Sequence, residues 1–241
     1  MDPNDRATVI AVKLLVVQHD HVSPLGPVAA RFAEHGYEIV HHSVVPASRF
    51  DSPGVIGRFP PFADFDAVVA MGAPWSTYDS VVGSWVTPEL EELRRADAAG
   101  VPVLGICFGG QLLATAHGGA VARSPLPEIG WTTLETDAFI PAGPWFEWHY
   151  DRWTLPPGAV EVARSPSASQ AFVLRRNLAL QFHPELTPAM LQGWLAQGAG
   201  TDARARGHDP EALLAQTRGQ SGVAAERARA LVDAFLEHVA N

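Results

Sequence analysis

Cys107 is the only cysteine in a chain of 241 residues, and its neighbours are those a sulfur nucleophile needs. It stands in Gly105-Ile106-Cys107-Phe108-Gly109-Gly110-Gln111, behind an apolar run over 101–106 and ahead of Leu112-Leu113-Ala114-Thr115-Ala116-His117. The run reads as a buried strand, and the stretch after the turn is a good helix former. Strand, sharp turn and helix make a nucleophile elbow, which pushes one side chain out over the sheet edge. Gly105 and Gly109 leave room, because a Cβ at either place would crowd the turn. At a helix N-terminus a sulfur faces unpaired N–H groups and the positive end of the dipole, conditions that favour thiolate. Without such neighbours, a lone cysteine reads as a small core residue.

A thiolate needs a base, and the base needs an orienting partner. Among ten histidines, His183 is distinguished by its place after the apolar run 178–182 and by Glu185 two residues on. Side chains at i and i+2 of an extended segment point the same way, and Pro184 biases His183 toward that backbone. Glu185 could then hold one ring nitrogen and aim the other at Cys107. His-x-Glu alone is a common surface or core pair. Joined to the cysteine elbow, it implies acyl transfer through a thioester. The tetrahedral intermediate needs donors for its oxyanion. The Phe108 N–H is one. The loop Gly72-Ala73-Pro74 after the strand 66–71 offers another, the Ala73 N–H, although alone this loop reads as a strand-ending turn. One such donor is worth roughly 10²–10³ in rate.

Other chemistry-bearing residues have two readings each. His149 and Asp151 either orient a loop over the site or act in it. Trp145, Trp148 and Trp153 either wall a pocket or fill core. His19, Asp20 and His21 crowd the end of the first strand, and His41-His42 adjoin the second. None has the spacing of a zinc site, and no Gly-x-x-x-x-Gly-Lys-Ser/Thr run is present. Neither a metal nor a cofactor is expected.

The elements that must position these groups alternate. Strands are predicted at 13–18, 37–45, 66–71 and 101–106, with helices at 24–35 and 85–99 closed by Gly36 and Gly100. Such alternation indicates a parallel sheet with helices on both faces, with ligands beyond the carboxyl ends of the strands. Shorter strands at 131–137, 159–164 and 170–174 read as an antiparallel section, before a further strand at 178–182 and a helix at 188–197. Residues 198–207 read as linker. Asp209-Pro210 reads as an N-cap with proline at the first helical position, and a last helix is expected over 223–239.

With 47% hydrophobic and 18% charged residues, the chain is long enough for a sizeable core. A net charge of -9 argues against a nucleic-acid surface. A single cysteine cannot form an intrachain disulfide, which suits a reducing cytoplasm. The apolar run 9–17 is short and interrupted by Lys13, and is neither a secretory signal nor a membrane span.

The segment 105–111 resembles the nucleophile signature of the class I, or triad, glutamine amidotransferases. His183-Pro184-Glu185 is similar to their His-Pro-Glu, and Gly72-Ala73-Pro74-Trp75-Ser76 to their oxyanion loop. Pro127-Glu128-Ile129-Gly130-Trp131 and Trp148-His149-Tyr150-Asp151 resemble the branch of the guanosine monophosphate synthetase glutaminase domain and the γ-glutamyl peptidases. The resemblance implies a flavodoxin-like three-layer α/β sandwich with a mostly parallel central sheet, a small antiparallel section and C-terminal helices. It implies an N-terminal extension over 1–12, an amidotransferase-like domain over 13–197 and a helical extension over 198–241 packed on that domain. It implies a triad of Cys107, His183 and Glu185, with Gly72 and Gln111 helping to hold a glutamine-like substrate. Two departures stand out: Ala73 where the family often has glycine, and Tyr150 within Trp-His-Gly-Asp.

The activity implied is hydrolysis of the glutamine γ-carboxamide, with ammonia passed to a separate synthase. The alternatives are a stand-alone γ-glutamyl hydrolase or peptidase with the same triad, or a non-catalytic binding module. No nucleic acid or membrane partner is expected.

Overall fold

A computed structural model describes residues 11–137 and 139–241. In chain order its elements are β1 (Val12–Gln18), α1 (Gly26–Glu34), β2 (Tyr37–Ser43), β3 (Ala67–Ala70), α2 (Gly83–Ala98), β4 (Val103–Ile106), α3 (Phe108–Ala116) and β5 (Ala120–Thr133), followed by β6 (Glu135–Thr136), β7 (Pro144–Thr154), β8 (Val160–Arg164), β9 (Ser169–Leu174), β10 (Asn177–Leu180), α4 (Pro188–Trp194), α5 (Gly200–Ala205) and α6 (Pro210–His238). Eight strands form one sheet in the order β2-β1-β3-β4-β10-β9-β8-β6. The first five are parallel, and β9, β8 and β6 continue the sheet antiparallel. β5 and β7 pair as a separate antiparallel ribbon.

The period of two along a strand sorts the core into two layers. Leu14 and Val16 face α1 and α6, packing with Val28, Phe32, Leu231 and Phe235. Leu15 and Val17 face α2 and α3, packing with Trp85, Leu93, Leu112 and Leu113. A strand buried on both faces is apolar at every position, as residues 14–17 are. Gly36 at φ 87° and Gly100 at φ 74° end the first two helices in the left-handed region. The result is a three-layer α/β sandwich. Among the described residues, no helix is long and apolar enough to cross a membrane.

Three expectations need correction. Residues 148–151, which include the His149 and Asp151 expected beside a site loop, are themselves strand: they lie in β7, paired with β5. The prolines at 125 and 127 obscure this ribbon in the sequence, and its register breaks between Arg123 and Glu128. Residues 198–207 are mostly helical: after a kink at Gln197 and Gly198, the latter at φ 106°, the chain turns into α5. The last helix begins at Pro210 rather than 223. Asp209 caps it, accepting the Glu211 N–H at 3.0 Å, and it runs 29 residues through Gly219 and Gly222. Of the N-terminal extension expected over 1–12, residues 1–10 lie outside the described residues, and Val12 already opens β1. α6 is tied to α1 by Arg31 and His35 on Asp233 and by Arg229 on Glu34.

Candidate active site

Cys107 sits between β4 and α3 at φ 50°, ψ -103°, one of two non-glycine residues with positive φ among those described. That conformation costs on the order of 1–3 kcal/mol and persists only where the surroundings impose it. Here they do. The Cys107 N–H donates to the Leu180 carbonyl at 2.7 Å, the Gly109 N–H to Met71 at 3.0 Å and the Gln111 N–H to Cys107 at 3.0 Å. Both elbow glycines are needed sterically. A Cβ on Gly105 would lie 2.6 Å from the Gly109 carbonyl oxygen, and one on Gly109 would lie 2.0 Å from that of Ala70.

β10 lies beside β4, so the residues just past their carboxyl ends meet. His183 is 5% exposed and Glu185 fully buried. The His183 Nδ1 lies 2.8 Å from Glu185 Oε1. Burial works against a charge on His183, but the Glu185 carboxylate and the Cys107 sulfur outweigh it and hold its pKa well above the usual imidazole range. The sulfur exerts this pull although Nε2 has no partner of strict hydrogen-bond geometry. Gly72 lies between the two. A Cβ there would touch His183 Cε1 at 3.3 Å and Cys107 Cβ at 3.7 Å, so the spacing of the three depends on glycine. Among the described residues, no backbone carbonyl accepts a hydrogen bond from the Ala73 N–H. Phe108 opens α3 and has no helical acceptor for its own N–H.

These groups line one cavity of about 700 Å³, with Gly72, Ala73, Cys107, Gln111 and His183 in its wall. Gln111 is buried and donates to Gln181 at 3.3 Å. Gln181 in turn donates to the Cys107 sulfur at 3.5 Å. Sequence reading missed Gln181, although it stands two residues before His183, the spacing that singled out Glu185. It also missed Trp194 of α4, whose ring meets that of His183 edge-on at 5.0 Å.

His149 and Asp151 reach the cavity wall from β7. Asp151 accepts from Ser76 and, at 2.9 Å, from Tyr78, tying β7 to the loop after Ala73. His149 points its Nε2 at Glu128 and Glu147, each 3.3 Å away, and its Nδ1 at the Asp151 carbonyl at 3.0 Å. Burial lowers its pKa, but the bonds to these two carboxylates raise it to about 10. The ring is therefore an imidazolium buried between two acids. The guanidinium groups of Arg123 and Arg206 both lie over the Tyr150 ring, whose hydroxyl donates to Asp202 of α5. The tryptophans divide: Trp148 lines the cavity, while Trp145 stacks on Phe182 and Trp153 packs edge-on against Phe172 in the core. His19 is fully buried against Glu89 of α2.

The chain matches the family Glutamine amidotransferase class-I over residues 25–196. It is 35% identical over 185 residues to a GMP synthase (glutamine-hydrolyzing) of Aeropyrum pernix, a match that covers 70% of this chain and 33% of that protein. The chain thus spans about a third of that relative's length. To a protein of Sulfolobus acidocaldarius named as one subunit of a glutamine-hydrolyzing GMP synthase it is 34% identical over 134 residues, 51% of this chain and 69% of that one. A solved glutamine amidotransferase from Thermotoga maritima superimposes with a TM-score of 0.81 at 25% identity, over 94% of this chain and 99% of the other. With Cys107 in its elbow and His183-Glu185 facing it, the chain belongs to the class-I glutamine amidotransferase family.

Proposed function

We propose that the protein hydrolyses the γ-carboxamide of glutamine and delivers ammonia to a separate synthase. The observation that carries this reading is the convergence of Cys107 and His183, from the ends of two adjacent parallel strands, on one cavity, with Glu185 buried behind His183. In this reading the Cys107 sulfur attacks the amide carbon, and the carbonyl oxygen becomes an oxyanion held by the N–H groups of Ala73 and Phe108. His183, oriented through Nδ1 by Glu185, gives its Nε2 proton to the departing amine. Ammonia leaves and a thioester remains. Water then attacks the thioester, His183 takes up its proton, and glutamate is released as the sulfur is restored. Gln181 and Gln111 fix the sulfur's surroundings. Gly72 and Gln111, in the cavity wall, contact the substrate. His149 and Asp151 hold the wall rather than react, because both are committed to internal partners. A relative whose name makes it one subunit of its synthase supports an acceptor on another chain.

The test is to incubate purified protein with glutamine and with γ-glutamyl peptides while following the mass of Cys107. A glutamyl adduct from glutamine, absent in Cys107→Ala, with ammonia release stimulated by a synthase partner, is expected. Turnover of γ-glutamyl peptides with none of glutamine would replace this reading with a peptidase. No adduct from either substrate would remove catalysis altogether.

A further inference from the structure

Oxyanion binding by Ala73 needs its N–H to point into the cavity. That direction belongs to a whole peptide group, since the Gly72 carbonyl points the opposite way in the same plane. Were the peptide turned over, an oxygen would stand where a donor is required. Whatever holds the Gly72 carbonyl therefore decides whether the site can work.

His19, just past the carboxyl end of β1, is completely buried. Its Nε2 lies 3.0 Å from both oxygens of Glu89, itself completely buried on α2. The ring stacks on Trp85 with centroids 5.6 Å apart and meets Phe108 at 5.0 Å. Its remaining nitrogen, Nδ1, is buried without a hydrogen-bond partner; the parallel pairing of Val17 with Ala70 sets His19 beside Gly72 just past the strand ends, and the Gly72 backbone is the polar group against the ring. Among the described residues, no backbone N–H serves that carbonyl. A buried carbonyl and a buried ring nitrogen, each otherwise unserved, are both costly unless they bond each other.

We infer that His19 is a positioning residue of the oxyanion hole: protonated on both nitrogens, it donates to Glu89 through Nε2 and to the Gly72 carbonyl through Nδ1, holding the Ala73 N–H toward the substrate. This rests on Ala73 being an oxyanion donor. The protonation state sets the outcome. Glu89 requires a proton on Nε2, so a neutral ring has a bare Nδ1. A bare Nδ1 is an acceptor: it repels the Gly72 carbonyl and suits the N–H of an inverted peptide. A protonated Nδ1 suits only the carbonyl. Burial opposes the second proton, but Glu89 outweighs it, with Asp20 and the Gly72 backbone helping, so the pKa is raised. The facing ionisable groups are Glu89 from α2, Asp20 beside it in sequence, and His42 from β2, whose pKa burial and the His19 charge lower. Because the same ring braces Phe108, one side chain supports both proposed donors.

Two amide substitutions separate the two bonds. In His19→Asn the side-chain nitrogen falls near Nδ1 and can still serve Gly72. In His19→Gln it falls near Nε2 and keeps Glu89 paired. Acylation by glutamine, measured by rapid quench and mass, should fall about 10²-fold in kcat with KM unchanged for His19→Gln, the size of one lost oxyanion donor. His19→Asn should stay within about 10-fold of wild type. Equal losses, or a greater loss for Asn, would overturn the inference, because a merely structural role favours the variant that keeps buried Glu89 paired. Nitrogen-15 NMR of histidine-labelled wild-type protein asks the question without a substitution. At pH 6.5 most His19 rings should carry protons on both nitrogens, and a bare Nδ1 there refutes the anchor. If wild-type protein forms no Cys107 adduct, the assigned reaction fails and the NMR result alone decides the anchor. If the adduct forms and the variants acylate alike, only the role of His19 falls.

Discussion

Gly109→Ala inserts a methyl where backbone already stands. The new Cβ would lie 2.0 Å from the Ala70 carbonyl oxygen, 2.5 Å from its carbon and 2.9 Å from the Ala70 Cβ. All three atoms belong to β3, and none can swing aside as the end of a long side chain could. The start of α3 and the end of β3 must part by ~1 Å in an interior packed as densely as an organic crystal. Overpacking costs about 1–3 kcal/mol, and a backbone obstacle places this case at the upper end. The same parting stretches the 3.0 Å bond from the Gly109 N–H to the Met71 carbonyl, and Met71 precedes Gly72. The Gly72–Ala73 peptide therefore moves away from Cys107 and Phe108. A misplacement of ~1 Å at reacting groups is worth about 10²-fold in rate. Urea denaturation should show a midpoint lower by ~1 M for a loss of this size, and single-turnover acylation of the folded fraction should be slowed ~10²-fold. Gly83→Ala is the control, since nothing lies within 4 Å of its Cβ position. A Gly109→Ala protein with wild-type stability and acylation rate would refute the claim that the α3–β3 contact sets the elbow.

Glu185→Gln keeps the volume but removes the carboxylate that orients His183 and holds its proton; steady-state kinetics should show kcat reduced by about 10²–10⁴-fold, as when a buried triad acid is neutralised. His149 titrates near 10 in the folded protein against about 6.5 unfolded, so its contribution to stability is complete below the lower value and is lost as pH rises through the upper one. The thermal midpoint should therefore fall between pH 7 and 10, and fall less steeply in His149→Gln; parallel pH profiles for the two proteins would contradict the burial of a charged ring there. Gly219 and Gly222 lie in the interior of α6 with nothing within 4 Å of a Cβ, so alanine at each should stabilise by about 0.5–1 kcal/mol, and a loss of stability on denaturation would show a contact the helix is not expected to make.

Features set by residues close in sequence were legible before any fold was seen. The two glycines around Cys107, the His-x-Glu pair on an extended segment, the apolar run that buries residues 14–17 on both faces and the Asp209-Pro210 cap all arise from local backbone geometry. The β5–β7 ribbon was not legible, because its prolines interrupt the pattern and a strand pair is stabilised by a partner the local pattern cannot name. For the same reason nothing marks residues 148–151 as strand in the sequence, although backbone pairing to β5 makes them so.

Charge was decided later still. His19 lies 70 residues from Glu89, and nothing near either in sequence announces the pairing. His149 is cationic because β5 and β7 bring Glu128 and Glu147 to one buried ring. Periodicity specifies which way a side chain faces. What it meets there, and hence its protonation and its chemistry, depends on distances across the folded molecule, since both desolvation and the attraction that offsets it act between segments far apart in the chain.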